Sequence, residues 1–152
     1  SWLTDAGVDA PFVQQNLAYS KAAGVLRGLH FQVAPFAQGK LVRALRGAIF
    51  DVAVDVREGS PTRGRYLAFE LTARNLKQVW IPPGFAHGYL TLEPDTEVVY
   101  MTTAYYDPAS ERGLAFDDAD VAIEWPVDVS AMVISAKDRA LPRLADCATG
   151  PF

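Results

Sequence analysis

Short apolar stretches punctuated by glycine and proline run along most of the chain after residue 24. The stretches with the composition and length of β-strands are residues 40–45, 48–57, 66–71, 78–81, 89–92 and 97–105. In the second of these, three valines alternate with Asp51, Ala53 and Asp55, so the two sets occupy opposite faces of a strand. No long window keeps the 3.6-residue apolar period of a helical bundle. The pattern predicts an all-β sandwich or barrel.

The segments around the predicted strands indicate a turn and two short helices. Arg46 and Gly47 separate the first two predicted strands and favour a hairpin turn between them. One short helix is predicted near the start of residues 1–23 and another over residues 135–141. A chain of 152 residues without repeats or a linker is expected to form a single domain over residues 1–152.

Composition and charge narrow the function classes. Half of the residues are hydrophobic, as in a globular protein with a sizeable core. The net charge of −4 gives no basic field for nucleic acid, and no apolar run approaches membrane-spanning length. The single cysteine, Cys147, allows no intramolecular disulfide and agrees with a reducing compartment. We therefore expect a cytoplasmic protein without nucleic-acid or membrane partners.

The chain has only two histidines, and each has a distinctive setting. His87 ends the pattern P-x-G-x-x-H over residues 82–87, which resembles the second motif of the cupin superfamily, where a turn aims histidine into a barrel. His30 is followed by Phe31 and Gln32, so the H-x-H pair of metal-binding cupins is absent. A catalytic zinc site usually has three protein ligands. We therefore expect no metal, although carboxylates could complete a ligand set, and the histidines are free for proton transfer.

Arg27 and His30 lie three residues apart, next to Gly28. A guanidinium suits bidentate phosphate binding and an imidazole suits base chemistry, while glycine allows a backbone or ligand to approach closely. A surface arginine beside a core histidine is the structural alternative for such a pair.

Several longer blocks carry a family resemblance. They are residues 24–32 (GVLRGLHFQ), 39–42 (GKLV), 50–57 (FDVAVDVR), 59–62 (GSPT), 81–88 (IPPGFAHG) and the stretch from Tyr100 to Glu111. In order and spacing the chain resembles the dTDP-4-dehydrorhamnose 3,5-epimerases from about Gln14 to Trp125, and more loosely to Asp138. The resemblance implies a cupin-type β jelly roll (double-stranded β-helix) with short flanking helices, a homodimer, and no cofactor.

The resemblance also implies a reaction. The family's substrate is dTDP-4-dehydro-6-deoxy-D-glucose, which is epimerised at C3 and C5 in dTDP-L-rhamnose biosynthesis. Both carbons flank the C4 ketone, so removing either proton gives an enolate, and reprotonation on the other face inverts the centre. Such an enzyme needs a base, an acid on the opposite face, and a group that stabilises the enolate oxygen.

Five residues match the family's catalytic positions. His30 matches the base, and Asp138 matches the carboxylate that orients it. Lys40 would stabilise the enolate oxygen, and Tyr100 matches the proton donor. His87 resembles a second histidine close to the keto group.

The residues that the resemblance assigns to substrate binding are Arg27, Gln14, Asn16, Asp51, Tyr106 and Lys137. Arg27 is the phosphate candidate, and Asp51 would orient His87 or Lys40. Strand parity places Tyr106 on the face of Tyr100, whereas Tyr105 falls on the opposite face and is predicted to pack in the interior. Lys137 stands where the family often has arginine, which weakens a bidentate contact.

Three alternatives stay open at this stage. One is a mono-epimerase that inverts only C3 or only C5 of a related sugar nucleotide, and another is a metal-dependent cupin enzyme. The third is a sugar-binding cupin without catalysis, against which His30, Lys40, Tyr100 and His87 together argue. The family's upstream segment, which contacts the nucleotide, is expected to be absent from residues 1–152.

Overall fold

The computed structural model describes residues 2–5 and 7–152. Ser1 and Ala6, both in the segment with the predicted N-terminal helix, lie outside the described residues. The helices are α1 (Trp2–Asp5) and α2 (Ala136–Arg139), with 3-10 helices at Val129–Ala131 and Leu144–Asp146. The strands are β1 (Gln14–Ser20), β2 (Val25–Gln32), β3 (Lys40–Arg46), β4 (Ala48–Asp55), β5 (Tyr66–Thr72), β6 (Val79–Ile81), β7 (Phe85–Thr91), β8 (Thr96–Thr102), β9 (Glu111–Gly113) and β10 (Val133–Ile134).

The strands form two sheets. The first contains four strands in the order β1-β8-β3-β6, and the second has the order β10-β2-β7-β4-β5, with β9 also paired to β2. The pairs are antiparallel except for β10 with β2. This arrangement confirms the predicted cupin-type β jelly roll with short flanking helices. No helix in the described part of the chain has the length and apolar character needed to span a bilayer.

The central strand β4 is buried on both faces, and this explains its composition. Its valines pack, as the alternation predicts, in a cluster that includes Leu114, Val121 and Trp125 from the C-terminal segment. On its other face Ile49 and Ala53 pack with residues of the four-stranded sheet. The C-terminal segment therefore covers the outside of the larger sheet, and the space between the sheets is left for a cavity.

The predicted hairpin at Arg46 and Gly47 is wrong, although both flanking strands are present. β3 pairs with β6 and β8, whereas β4 pairs with β5 and β7, so the chain crosses from one sheet to the other at this point. Gly47 has φ +72°, and a Cβ there would clash with Thr96. A short turn signal between two strands does not distinguish a hairpin from a corner between sheets.

Two strand boundaries differ from the prediction in ways that affect the site. β7 begins at Phe85 rather than at residue 89, so His87 lies within the strand and not in the turn before it. β8 ends at Thr102 rather than at residue 105, so strand parity does not reach Tyr105 or Tyr106. Tyr105, predicted to pack in the interior, is 62% exposed.

Candidate active site

A cavity of about 490 Å³ lies between the two sheets. This volume is typical of small-molecule and cofactor sites. Every residue that the sequence places in the site lines it, with the exception of Asp51. The polar wall residues that the sequence did not indicate are Gln32, Gln38, Tyr89, Glu111 and Ser135.

An irregularity in β2 explains how Arg27 and His30 reach the same cavity. In a regular strand, residues three apart point to opposite faces. Here Arg27 lies opposite Tyr89, and His30 lies opposite His87, so three steps along β2 match two steps along β7. The bulge requires Gly28, which has φ +111° and whose added Cβ would lie 2.7 Å from a backbone oxygen of β7. Both side chains consequently line the cavity.

His30 forms a close pair with Asp138. Its Nε2 lies 2.8 Å from Asp138 Oδ1, and the Gly28 N–H donates to Asp138 Oδ2 at 3.1 Å. The N-cap of α2 is Ser135, whose Oγ accepts from the Asp138 N–H at 3.1 Å. The serine three residues before the aspartate is typical of a helix start. Here the cap fixes the short helix that presents the carboxylate to His30.

The surroundings of His30 favour its neutral form. Burial lowers the pKa of His30 below its ordinary value, the Asp138 carboxylate opposes that change, and the nearby Lys40 lowers the pKa further. A neutral imidazole whose Nε2–H donates to Asp138 carries its lone pair on Nδ1. His30 can therefore accept a proton at neutral pH.

His87 pairs with Asp51 in the same manner but at greater depth. Its Nε2 lies 2.7 Å from Asp51 Oδ2. Of the two proposed roles of Asp51, this hydrogen bond supports the orientation of His87, and Asp51 itself does not line the cavity. Asp51 Oδ1 has no hydrogen-bond partner among residues 2–5 and 7–152.

Lys40 begins β3 and is buried, with its Nζ donating to the His30 carbonyl at 3.3 Å. Burial lowers the pKa of Lys40 to about 8, and the carboxylates of Asp51 and Glu111 limit that decrease. The ammonium is therefore mostly charged at neutral pH and loses its charge in mildly alkaline solution. A buried cation at this position can stabilise negative charge that develops on a bound oxygen.

Tyr100 reaches the cavity from the opposite sheet. It lies on β8 between Asn16 of β1 and Val42 of β3. Burial raises the pKa of Tyr100 above its ordinary value, so the phenol keeps its proton at neutral pH. The cavity thus has a candidate base on one sheet and a candidate acid on the other.

Glu111 connects two predicted binding residues. Its Oε2 accepts from Tyr106 Oη at 3.1 Å and from Lys137 Nζ at 2.8 Å. Burial alone would raise the pKa of Glu111, but the hydrogen bond from Lys137, the charge of His30 and the bond from Tyr106 lower it. No pattern in the sequence marks Glu111 as a site residue, because β9 has only three residues and its pairing with β2 cannot be seen in the order of residues.

Polar groups for a larger ligand lie along β1 and β2. Gln14 Nε2 donates to Asn16 Oδ1 at 2.9 Å, and Gln14 Oε1 accepts from the Tyr106 N–H at 3.2 Å. The Arg27 guanidinium donates to the Tyr19 carbonyl at 3.2 Å. Arg27 thus supplies a positive charge on the cavity wall, where an anionic group can bind.

The described residues contain no group of three or more histidine, cysteine, aspartate or glutamate side chains placed to hold a metal ion. Each histidine instead directs its Nε2 to one carboxylate. Side chains in this arrangement fit proton transfer.

A jelly roll with histidine–aspartate pairs, a buried lysine and phenols on opposing sheets defines the chain as a cupin-fold enzyme of acid–base type. The family model for dTDP-4-dehydrorhamnose 3,5-epimerase matches residues 1–146. The chain belongs to the dTDP-4-dehydrorhamnose 3,5-epimerase family, a family of isomerases, and the predicted resemblance is confirmed.

Individual relatives support the assignment. The dTDP-4-dehydrorhamnose 3,5-epimerase of Sinorhizobium fredii is 49% identical over 145 residues, which are 95% of this chain and 74% of that protein. The Escherichia coli enzyme of the same name is 47% identical over 135 residues, 89% of this chain and 72% of its own length. This chain therefore spans about three quarters of the length of these relatives.

Solved structures agree in fold. A Legionella pneumophila dTDP-6-deoxy-D-glucose-3,5-epimerase in complex with dTDP-4-keto-L-rhamnose has a TM-score of 0.89 and 43% identity, covering 95% of this chain and 76% of that one. A 3'-monoepimerase of Streptomyces bikiniensis, in complex with dTDP-quinovose, has a TM-score of 0.86 and 37% identity, covering 95% and 72%.

Proposed function

We propose that this chain epimerises dTDP-4-dehydro-6-deoxy-D-glucose at C3 and C5 by acid–base proton transfer, as a step of dTDP-L-rhamnose biosynthesis. One observation carries the proposal: His30, Lys40 and Tyr100 line the same cavity, with the base and the acid on opposing sheets. The names of the relatives in the family support the choice of substrate.

In the first step, the His30 Nδ1 lone pair takes the proton from a carbon next to the C4 ketone. The electrons of the broken C–H bond form the C=C bond of an enolate, and the negative charge moves to the C4 oxygen. Lys40 stabilises that oxygen with its buried ammonium. Asp138 holds the imidazole in the required tautomer and stabilises the imidazolium that results.

In the second step, Tyr100 gives its phenol proton to the same carbon from the opposite face. The C=C electrons form the new C–H bond, the C4 ketone is restored, and the centre is inverted. The tyrosinate regains a proton and His30 loses one through exchange with water, which readies the site for the second carbon. His87, held by Asp51, is the second catalytic histidine and lies close to the keto group, while Arg27, Gln14, Asn16, Tyr106 and Lys137 bind and orient the nucleotide sugar.

The proposal includes a metal-free mechanism without a cofactor. It is supported by the use of both histidine Nε2 atoms in pairs with carboxylates. We also propose that residues 1–152 act as one catalytic domain and that the protein works in the cytoplasm, which the single cysteine favours.

A homodimer is proposed from the outer face of the four-stranded sheet. Leu17 and Tyr19 of β1 are 64% and 51% exposed, on the face opposite to the cavity-lining Asn16 and Ala18. Exposed apolar side chains on one sheet face are typical of an interface between subunits. Sedimentation of the wild type and of Leu17→Glu tests this: we expect a dimer and a shift to monomer, and a monomeric wild type contradicts it.

Product analysis tests the function itself. The purified chain is incubated with dTDP-4-dehydro-6-deoxy-D-glucose in heavy water, and the product is examined by NMR. We expect inversion and deuterium at both C3 and C5. Inversion and deuterium at a single carbon would instead identify a mono-epimerase, and no exchange at either carbon would contradict the proposal.

A further inference from the structure

Tyr89 carries a buried hydroxyl that the proposed mechanism does not use. The residue is only 4% exposed, and its phenol oxygen has no hydrogen-bond partner in the part of the chain that the structure describes. Buried polar groups without partners are unfavourable and uncommon in native proteins. An apolar phenylalanine ring would fill the same place without that cost, so the hydroxyl calls for a functional explanation.

The position of Tyr89 indicates what the hydroxyl can reach. Tyr89 follows His87 by two residues in β7, so both side chains face the cavity, and Tyr89 lines its wall. It lies opposite Arg27 on β2. The Tyr89 ring is thus next to the arginine that is proposed to bind phosphate, and it is close enough to the acid candidate Tyr100 for the two phenols to influence each other's ionisation.

The protonation state of Tyr89 fixes its hydrogen-bonding role. Burial raises the pKa of Tyr89 to about 12, an effect that the charge of Arg27 only partly offsets. The hydroxyl therefore keeps its proton throughout the physiological range and is available as a donor. A ligand acceptor in the cavity would satisfy it.

We propose that the Tyr89 hydroxyl donates a hydrogen bond to an oxygen of the bound sugar diphosphate, beside the contact made by Arg27. This inference rests on the proposed function, because it takes a nucleotide sugar as the ligand. Tyr89 is then a binding residue of the site and plays no part in proton transfer to carbon.

Tyr89→Phe removes only the hydroxyl, and Tyr105→Phe is the matched control because that phenol is largely exposed and outside the cavity wall. Calorimetry measures the affinity of each variant for dTDP and for dTDP-glucose. We expect Tyr89→Phe to weaken binding by about 10-fold, with a range of roughly 2- to 100-fold, and Tyr105→Phe to leave it unchanged. The melting temperature of the ligand-free Tyr89→Phe protein should stay the same or rise, since an unpaired buried group has been removed.

The two probes separate the possible acceptors. Weaker binding of both probes supports the proposal with a phosphate oxygen as the acceptor, and weaker binding of dTDP-glucose alone supports it with a sugar oxygen. Affinities within about twofold of wild type for both probes overturn it, as does a wild type that binds neither. These affinities test the Tyr89 contact without any turnover. A wild type that binds the probes but fails to epimerise therefore contradicts only the proposed function.

Discussion

The chain contains two histidine–aspartate pairs with nearly equal geometry and different surroundings. In the His30–Asp138 pair the two side chains are 28% and 8% exposed, whereas in the His87–Asp51 pair they are 7% and 0% exposed. The N···O distances are 2.8 and 2.7 Å. The more exposed pair can therefore exchange protons with substrate and water, whereas burial and the Asp51 carboxylate hold His87 in a fixed position on the cavity wall.

The two pairs also differ in how the fold builds them. Asp51 and His87 lie on the neighbouring strands β4 and β7. Asp51 is directly opposite Tyr89, and His87 lies two residues before Tyr89 on the same strand. Such diagonal neighbours are within reach of long side chains. His30 and Asp138 are 108 residues apart and meet only because the bulge at Gly28 and the capped helix α2 bring them together. The reactive pair thus depends on irregular local structure, and the supporting pair on regular strand pairing.

Replacing His30 should have the largest effect on turnover. We expect His30→Ala to lower kcat by about 10²–10⁴-fold, since general-base assistance is lost. Steady-state kinetics on protein with an unchanged circular dichroism spectrum measures it. Near-normal turnover in the folded variant would show that His30 is not the base. The two histidine–aspartate pairs would then not differ in the way proposed here.

Replacing His87 should affect stability more than replacing His30 does. His87→Ala leaves the Asp51 carboxylate buried without its donor, which costs about 1–3 kcal/mol or more for a charged group. Asp138 keeps the Gly28 N–H as a donor when His30 is removed, so His30→Ala should cost less. Urea unfolding of the two alanine variants compares the free energies directly. Equal losses would show that the burial difference has no energetic consequence.

The pH dependence of kcat/KM should separate the role of His30 as the base from the role of Lys40 as the buried cation. Below the lowered pKa of His30 the imidazole is protonated and kcat/KM falls with decreasing pH. Above about 8 Lys40 becomes neutral, and kcat/KM should fall about 10-fold per pH unit. Lys40→Arg keeps its charge and should move the alkaline limb upward. A wild-type profile that stays flat well above pH 8 would contradict the role given to Lys40.

Chelation should have the smallest effect. Both histidines direct Nε2 to a carboxylate, so we expect dialysis against EDTA to leave kcat/KM unchanged. Activity that disappears on chelation and returns with one divalent ion would mean that at least one pair is a metal ligand set in the working enzyme.

The sequence predicts the regular parts of this molecule better than the irregular ones. Alternation along β4 placed its valines on one face and Asp51 on the other, because successive side chains point to opposite faces of any regular strand. The corner at Gly47, the bulge at Gly28 and the early end of β8 depend on contacts between distant segments, which no local pattern contains. For this reason Tyr105 was expected in the interior and is exposed.

The site residues show the same difference between what a local pattern predicts and what depends on contacts between distant segments. Asp138 could be assigned only through resemblance to a family, since nothing local links it to His30. Glu111 and Tyr89 were missed because a three-residue strand and an ordinary strand aromatic give no functional signal. The S-x-x-D spacing of Ser135 and Asp138 was a usable signal for the helix start, but not for the histidine that the aspartate contacts.

Deuterium exchange in Tyr100→Phe tests directly whether His30 and Tyr100 work on opposite faces of the sugar. The substrate is incubated in heavy water with Tyr100→Phe, His30→Ala and, as a control, Tyr106→Phe, and C3 and C5 are followed by NMR. We expect that Tyr100→Phe incorporates deuterium with little inversion, that His30→Ala incorporates almost none, and that Tyr106→Phe still inverts. Inversion by Tyr100→Phe at the wild-type rate, or exchange by His30→Ala at that rate, would contradict this assignment of roles.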